Sequence, residues 1–339
     1  PHPRPRPGTR ALAGLLMAAL LALLAACGTE APETSPEPAG DAETDAAAPL
    51  FDTETETDVD AAAGQADATN PDAAPSTALR FTDAAAAAGV DFLHEPGYTE
   101  RKYAPEIMGS GVAIADLNRD GAPDLVAING GAVDGPRPEG AGDRLWLNDG
   151  QGGFSEASEG WGIGGRGYGM GVAAGDYDND GWTDLFLSTY GSGDRLLRNT
   201  GAGFEDVTEA AGIADDGAWS TSAGFFDLEN DGDLDLWILR YTDYQLEGAL
   251  DCYSNEAQVY CTPEIYAGVA NRLLRNEGDG TFTDISQEVG FTPETATRSL
   301  ALSLGDLDLD GDVDAYIAND LDRNELWLSD GAGGLEEVG

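Results

Sequence analysis

One nine-residue pattern occurs four times in this chain and constrains its fold more than any other feature. Asp116-Leu-Asn-Arg-Asp-Gly-Ala-Pro-Asp124 recurs as Asp176-Tyr-Asp-Asn-Asp-Gly-Trp-Thr-Asp184, Asp227-Leu-Glu-Asn-Asp-Gly-Asp-Leu-Asp235 and Asp306-Leu-Asp-Leu-Asp-Gly-Asp-Val-Asp314. A small-residue run precedes each copy, for example Gly169-Met-Gly-Val-Ala-Ala. A β-rich run follows, such as Leu185-Phe-Leu-Ser, and then a second one, such as Arg144-Leu-Trp-Leu. Turns at Asn148, Asn199, Asn276 and Ser329 lead into Phe154, Phe204, Phe282 and Leu335.

Each unit thus offers about four short strands joined by Gly- and Asn-rich turns, the pattern of a propeller blade. The predicted fold class is all-β, a β-propeller of four-stranded blades. Arg80-Phe-Thr-Asp resembles Thr281-Phe-Thr-Asp, so the body begins where a blade's last strand begins, and it stops at the matching place, Gly334-Leu-Glu-Glu-Val-Gly339. Four units between those points could close as a small ring or be the first part of a larger one, and the larger ring is expected. The third unit is longer than the others, which places an insertion at about 240–270 on one rim.

Within each loop, oxygens at positions 1, 3, 5 and 9 and a main-chain carbonyl at 7 can converge on one hard cation, while Gly at 6 permits the sharp turn. The candidate ligands are Asp116, Asn118, Asp120, Ala122 (carbonyl) and Asp124; then Asp176, Asp178, Asp180, Trp182 (carbonyl) and Asp184. The third loop offers Asp227, Glu229, Asp231, Asp233 (carbonyl) and Asp235, and the fourth Asp306, Asp308, Asp310, Asp312 (carbonyl) and Asp314. All-oxygen sets favour Ca²⁺ over zinc or copper, so about four Ca²⁺ sites are expected. An EF-hand is excluded, because position 12 is Ala127, Leu187, Ile238 or Ile317 where that motif needs Glu.

The whole body, residues 80–339, resembles the FG-GAP/VCBS repeat proteins of the cartilage-acidic-protein and ASPIC/UnbV-associated family. Besides the loops, Phe81-Thr-Asp, Gly109-Ser-Gly-Val-Ala and Tyr260-Cys-Thr-Pro carry that resemblance. It implies a Ca²⁺-binding propeller, usually seven-bladed, exported, and serving adhesion or recognition rather than a defined reaction.

The N-terminal segment agrees with export. Arg4, Arg6 and Arg10 precede an apolar run from Ala11 to Ala26 that is short for a membrane span, and Leu24-Ala25-Ala26-Cys27 resembles a bacterial lipobox. Residues 1–26 therefore read as a lipoprotein signal peptide and Cys27 as the lipidated residue that ties the protein to the cell envelope. Residues 27–79 hold thirteen acids and no base, a composition that cannot bury enough surface to fold. They read as a tether.

Charge narrows the partner classes. With 63 acids against 17 Lys and Arg the formal charge is −46, which argues against nucleic acid. Beyond His2 the one histidine is His94, and Lys102 is the one lysine, so His- or Lys-based catalysis is poorly supplied. His94 lacks a nearby nucleophile motif and reads as a structural hydrogen-bonding group. The expected partner is a protein or glycan held by rim loops, and the chain is expected not to be an enzyme. The rival reading is a Ca²⁺-requiring lyase or hydrolase of polysaccharides on a propeller scaffold. Cys252 and Cys261, close together in the insertion of an exported chain, are expected to form a disulfide. The aromatics around them, Tyr241, Tyr244, Tyr253, Tyr260 and Tyr266, either form a recognition surface or pack the insertion onto its blade. Trp146, Trp182, Trp237 and Trp327 read as blade packing.

Overall fold

The computed structural model describes residues 81–164, 167–213 and 216–339, all within the unit Ala78–Gly339. The signal peptide, Cys27 and the tether lie outside the described residues. Among the described residues no helix is long and apolar enough to cross a membrane.

The repeats form four antiparallel four-stranded sheets. The first contains β1 (Val112–Ala115), β2 (Asp124–Ala127), β3 (Arg144–Asn148) and β4 (Phe154–Glu156). The second contains β5 (Tyr168–Gly175), β6 (Asp184–Tyr190), β7 (Arg195–Asn199) and β8 (Phe204–Asp206). In the third, β9 (Ser220–Phe226) and β10 (Asp235–Arg240) are followed by an inserted hairpin, β11 (Cys252–Ser254) and β12 (Ala257–Val259), before β13 (Arg272–Asn276) and β14 (Phe282–Asp284) complete the sheet. The fourth contains β15 (Ser299–Gly305), β16 (Asp314–Asn319), β17 (Glu325–Ser329) and β18 (Leu335–Glu337).

The first strands lie side by side in the order β1, β5, β9, β15, and the other strands fan outward from them. Glycine allows that approach. A Cβ on Gly111 would sit 2.8 Å from Gly171 Cα, and one on Gly171 would sit 2.7 Å from the Thr221 carbonyl. Both distances are closer than a side chain tolerates.

Three apolar cores fill the gaps between blades. Leu117, Val126, Ile128 and Leu145 meet Leu185 and Leu187 across the first gap. Phe186 and Leu196 meet Leu236 and Ile238 across the second, and Trp237 and Leu273 meet Ile317 across the third. β6 and β10, covered on both faces, bury every residue, and so read as continuous apolar runs rather than alternating ones. Burying a Leu or Phe side chain contributes roughly 1.5–3 kcal/mol, so these three seams supply much of the stability. Trp146 and Trp237 are fully buried, and Trp327 packs on Trp237 and Phe291, in line with the packing role expected for them.

A fourth cluster lies where the strands begin, on the rim opposite the acidic loops. Trp219 meets Tyr190, Tyr241 and Tyr244 edge to face there, beside Tyr168 and with Tyr103 and Met108 from the segment that precedes β1. The disulfide Cys252–Cys261 forms as expected. Its hairpin docks on the same segment: Tyr260 donates to Glu106 (3.0 Å), Gln258 donates to the Arg101 carbonyl (3.1 Å), and Lys102 lies over the Tyr260 ring. Of the five insertion tyrosines, Tyr241 and Tyr244 are buried, Tyr266 meets Tyr244 edge to face, Tyr260 binds Glu106, and Tyr253 is exposed. Packing therefore accounts for four of them.

Candidate metal centre

Each acidic loop closes a hairpin between the first two strands of its blade. Position 9 begins the second strand and pairs with the residue before position 1: Ala115 with Asp124, Gly175 with Asp184, Phe226 with Asp235, and Gly305 with Asp314. The backbone turns through the left-handed region twice in each loop. At position 6 glycine takes φ of +91, +89, +97 and +107°, and at position 4 Arg119, Asn179, Asn230 and Leu309 take φ of +59, +56, +55 and +70°. Asn tolerates that conformation, whereas Leu is strained in it.

Backbone N–H groups gather the carboxylates. Position 5 accepts from the N–H of position 7 in all four loops: Asp120 from Ala122, Asp180 from Trp182, Asp231 from Asp233, and Asp310 from Asp312. Position 1 accepts from the glycine N–H at 2.9 Å in the first three. Position 9 is buried in every copy, at 1% exposure or less. Its Oδ2 accepts from the N–H of position 2 (Leu117, Tyr177, Leu228, Leu307), and its Oδ1 accepts from the N–H of the turn residue (Asn148, Asn199, Asn276, Ser329). Asp124, Asp184, Asp235 and Asp314 thus pin the loop to the next turn, and each oxygen keeps a second lone pair.

Burial pushes the Asp184 carboxyl up to about 7 against the pull of those two N–H groups, and Asp178 and Asp180 add to the rise. Burial also raises Asp235 to about 7, with Glu229 adding to it, and raises Asp124 and Asp178. A divalent cation reverses that situation, because it stabilises the charged form of every carboxylate around it.

In two loops the carboxylates converge. One oxygen from each of Asp176, Asp178 and Asp184 lies within 4.8 Å of the others, as do oxygens of Asp306, Asp308 and Asp310. In the second loop Asp176 Oδ1 is buried and accepts no hydrogen bond, although Oδ2 of the same carboxylate accepts from Gly181. An unpaired buried carboxylate oxygen beside two further carboxylates fits a hard cation, and the all-oxygen donor set fits Ca²⁺. The other two loops are arranged differently. In the first, the Asn118 amide donates to Asp120 (2.9 Å), which spends one candidate ligand on another. In the third, the longer Glu229 side chain pairs with Asp235.

The turn asparagines do more than the sequence suggests. Asn199 Nδ2 donates to the Leu117 carbonyl of the preceding blade's loop (2.8 Å), and Asn276 Nδ2 donates to the Tyr177 carbonyl (2.7 Å). Each side chain also bonds its own loop, at Thr183 or Leu234, and so latches one acidic loop to the next. Only the recurrence of Asn in the turn after the third strand hinted at this. In the fourth blade Ser329 takes the position and has no amide to offer. His94 behaves as expected, its Nε2 lying 2.9 Å from Ser110 Oγ, and burial lowers its pKa.

Residues 116–187, 176–238 and 257–317 match the FG-GAP-like repeat, together more than half of the chain. The chain belongs to the FG-GAP-like repeat family. Each of the three matches ends at position 12 of the next acidic loop, so the repeat as matched runs from blade to blade. No curated protein matches the chain in sequence. Among solved structures, one that is similar is an Agrocybe aegerita lectin described by its specific recognition of non-reducing terminal N-acetylglucosamine. The two share 16% identity over 66% of this chain and 50% of the lectin, with a TM-score of 0.35. The FG-GAP-like chain thus spans half the length of that structure.

Proposed function

We propose that this FG-GAP-like chain is a Ca²⁺-stabilised recognition module rather than an enzyme. The cation stiffens the acidic rim, and the rigid blades present the opposite rim to a protein or glycan. The observation that carries the reading is the second loop, where the unpaired buried Asp176 Oδ1 faces a cation site made with Asp178 and Asp184. The fourth loop supplies a second triad. We read the module as a member of the cartilage-acidic-protein and ASPIC/UnbV-associated group, part of a seven-bladed ring, exported and held at a bacterial envelope through a lipid on Cys27. The lipobox-like run before Cys27 and the exported-type disulfide support that placement.

The test is a thermal melt with excess Ca²⁺ and again with chelator. At a hundredfold excess over its Kd, each occupied site adds about 2.7 kcal/mol, so chelation should lower Tm by many degrees. Identical cooperative melts in both conditions would mean that the loops are solvated turns and that the metal reading is wrong.

A further inference from the structure

We propose that cation binding is cooperative along the blades, because the fourth residue of each of the first three loops is a positioning residue for the loop that follows. This inference rests on the metal reading above. Position 4 is not among the expected ligands, it takes a left-handed backbone in every loop, and in the first three its side chain reaches the next loop. Asn179 Nδ2 donates to Asp233 Oδ1 (2.7 Å) and to the Gly232 carbonyl (3.2 Å). Asn230 Nδ2 donates to Asp312 Oδ1 (2.7 Å). The Arg119 guanidinium lies 5.1 Å from the centre of the Trp182 ring. In all three cases the target is position 7 of the next loop, the residue whose carbonyl is the expected main-chain ligand.

The same residue is held from the other side by its own loop, through the position 5 carboxylate that accepts its N–H. One peptide is therefore gripped both by a candidate metal ligand of its own loop and by the neighbour's position 4 side chain. The neighbour's amide also draws the Asp233 or Asp312 carboxylate toward itself, satisfying a negative charge that lies beside the ligand cluster. A cation in the second loop fixes Asn179 and with it Asp233 of the third loop, whose Asn230 in turn fixes Asp312 of the fourth, so the two carboxylate triads are joined through the third loop and filling one lowers the ordering cost of filling the other. By linkage the second cation promotes the first to the same extent. The fourth loop provides a built-in control, because the exposed Leu309 has no amide and touches no following loop among the described residues.

The experiment is calorimetric titration of Ca²⁺ alone into the full chain and three variants. Asn179→Gly and Asn230→Gly delete the bridging amide while glycine keeps the left-handed backbone at little strain, so folding is preserved. Leu309→Gly makes the same change where no bridge exists. The wild type is expected to titrate with a Hill coefficient above 1. Asn179→Gly and Asn230→Gly should bring it toward 1 and weaken the apparent affinity about three- to tenfold, within the usual range of coupling between sites. Leu309→Gly should titrate like the wild type. A non-cooperative wild-type isotherm, or wild-type cooperativity retained in both asparagine variants, overturns the coupling while leaving the metal sites intact. A wild type that takes up no Ca²⁺ overturns the metal reading and the coupling with it.

Discussion

On one rim of the blades the same nine-residue pattern recurs four times, with glycine at position 6 and a left-handed residue at position 4 in each copy. On the other rim the aromatic side chains are not a repeated set. Tyr168, Tyr190, Trp219 and Tyr241 stand at corresponding strand ends but fill one shared aromatic cluster, closed by a segment from outside the repeats and a hairpin found in one blade. The difference separates two jobs. A repeated rim is held by local rules, so each copy can be read and altered alone, while an unrepeated rim is held by contacts among distant segments and is free to become specific.

The largest expected effect breaks the repeated rim. Asn276 is 5% exposed and donates to two carbonyls in two blades, so Asn276→Ala leaves buried acceptors unpaired. A loss of about 2–3 kcal/mol in urea unfolding is expected. Asn148→Ala, where the amide is exposed and bonds its own loop at Pro123, should lose less than about 1 kcal/mol. Equal losses at the two sites would mean that the inter-blade latch contributes nothing.

The next effect is confined to the other rim. Replacing Cys252 and Cys261 together with Ser should free the β11–β12 hairpin, at a cost of about 2 kcal/mol by loop-closure entropy. Amide exchange at Tyr253 and Gln258 should accelerate more than tenfold, with Ca²⁺ affinity unchanged. A change in Ca²⁺ affinity would show that the rims are not independent.

A smaller effect sharpens the contrast, because the irregular rim hides a repeat of its own. The residue before each third strand is Asp143, Asp194, Asn271 or Asn324, and each accepts an N–H from the end of the second strand or just beyond it (Asn129, Thr189, Arg240 and Asn319). Asn271 also donates to Ser299 in the next blade, and Asp194 accepts from Ser220 in the same way. Burial pushes Asp194 up to about 6. Because its folded pKa is raised, the stability it contributes is complete below about pH 4 and is lost as pH rises through about 6. Asn cannot ionise and already serves in the third and fourth blades. Asp194→Asn should therefore match the wild type near pH 4 and exceed it by about 1–2 kcal/mol at pH 7, measured by urea unfolding at both pH values. A constant difference across that range would mean that Asp194 does not titrate there.

This asymmetry also explains what the sequence disclosed. The blades, the acidic loops and the disulfide were legible because each depends on residues close in sequence, with Gly121 or Asp176 announcing its own geometry. The latch from Asn276 to Tyr177 was not legible, since it joins residues far apart in the chain and Asn alone says only that a turn is present. The insertion tyrosines were ambiguous for the same reason. Nothing local to Tyr244 or Tyr260 distinguishes a side chain facing a partner from one facing Trp219 or Glu106. About four sites were expected, one per loop, with spacing alone unable to rank the Asn118 and Glu229 loops against the others, and the carboxylates converge in the second and fourth loops. A single amide at Asn118 or one added methylene at Glu229 redirects a ligand toward its neighbours.

The smallest effect tests whether the repeated rim is as uniform as its backbone. Leu309 is 70% exposed with φ of +70°, in a position that Asn fills in the two preceding loops. Its left-handed conformation costs roughly 1–2 kcal/mol for an ordinary side chain, and Asn lowers that cost through local hydrogen bonding. Leu309→Asn should therefore stabilise the chain by about 0.5–1 kcal/mol and remove an exposed apolar side chain, with the gain present in chelator as well as in Ca²⁺. A gain seen with Ca²⁺ alone would place the strain in the metal-bound loop rather than in the fold. No gain in either condition would mean that the fourth loop does not share the backbone of the other three.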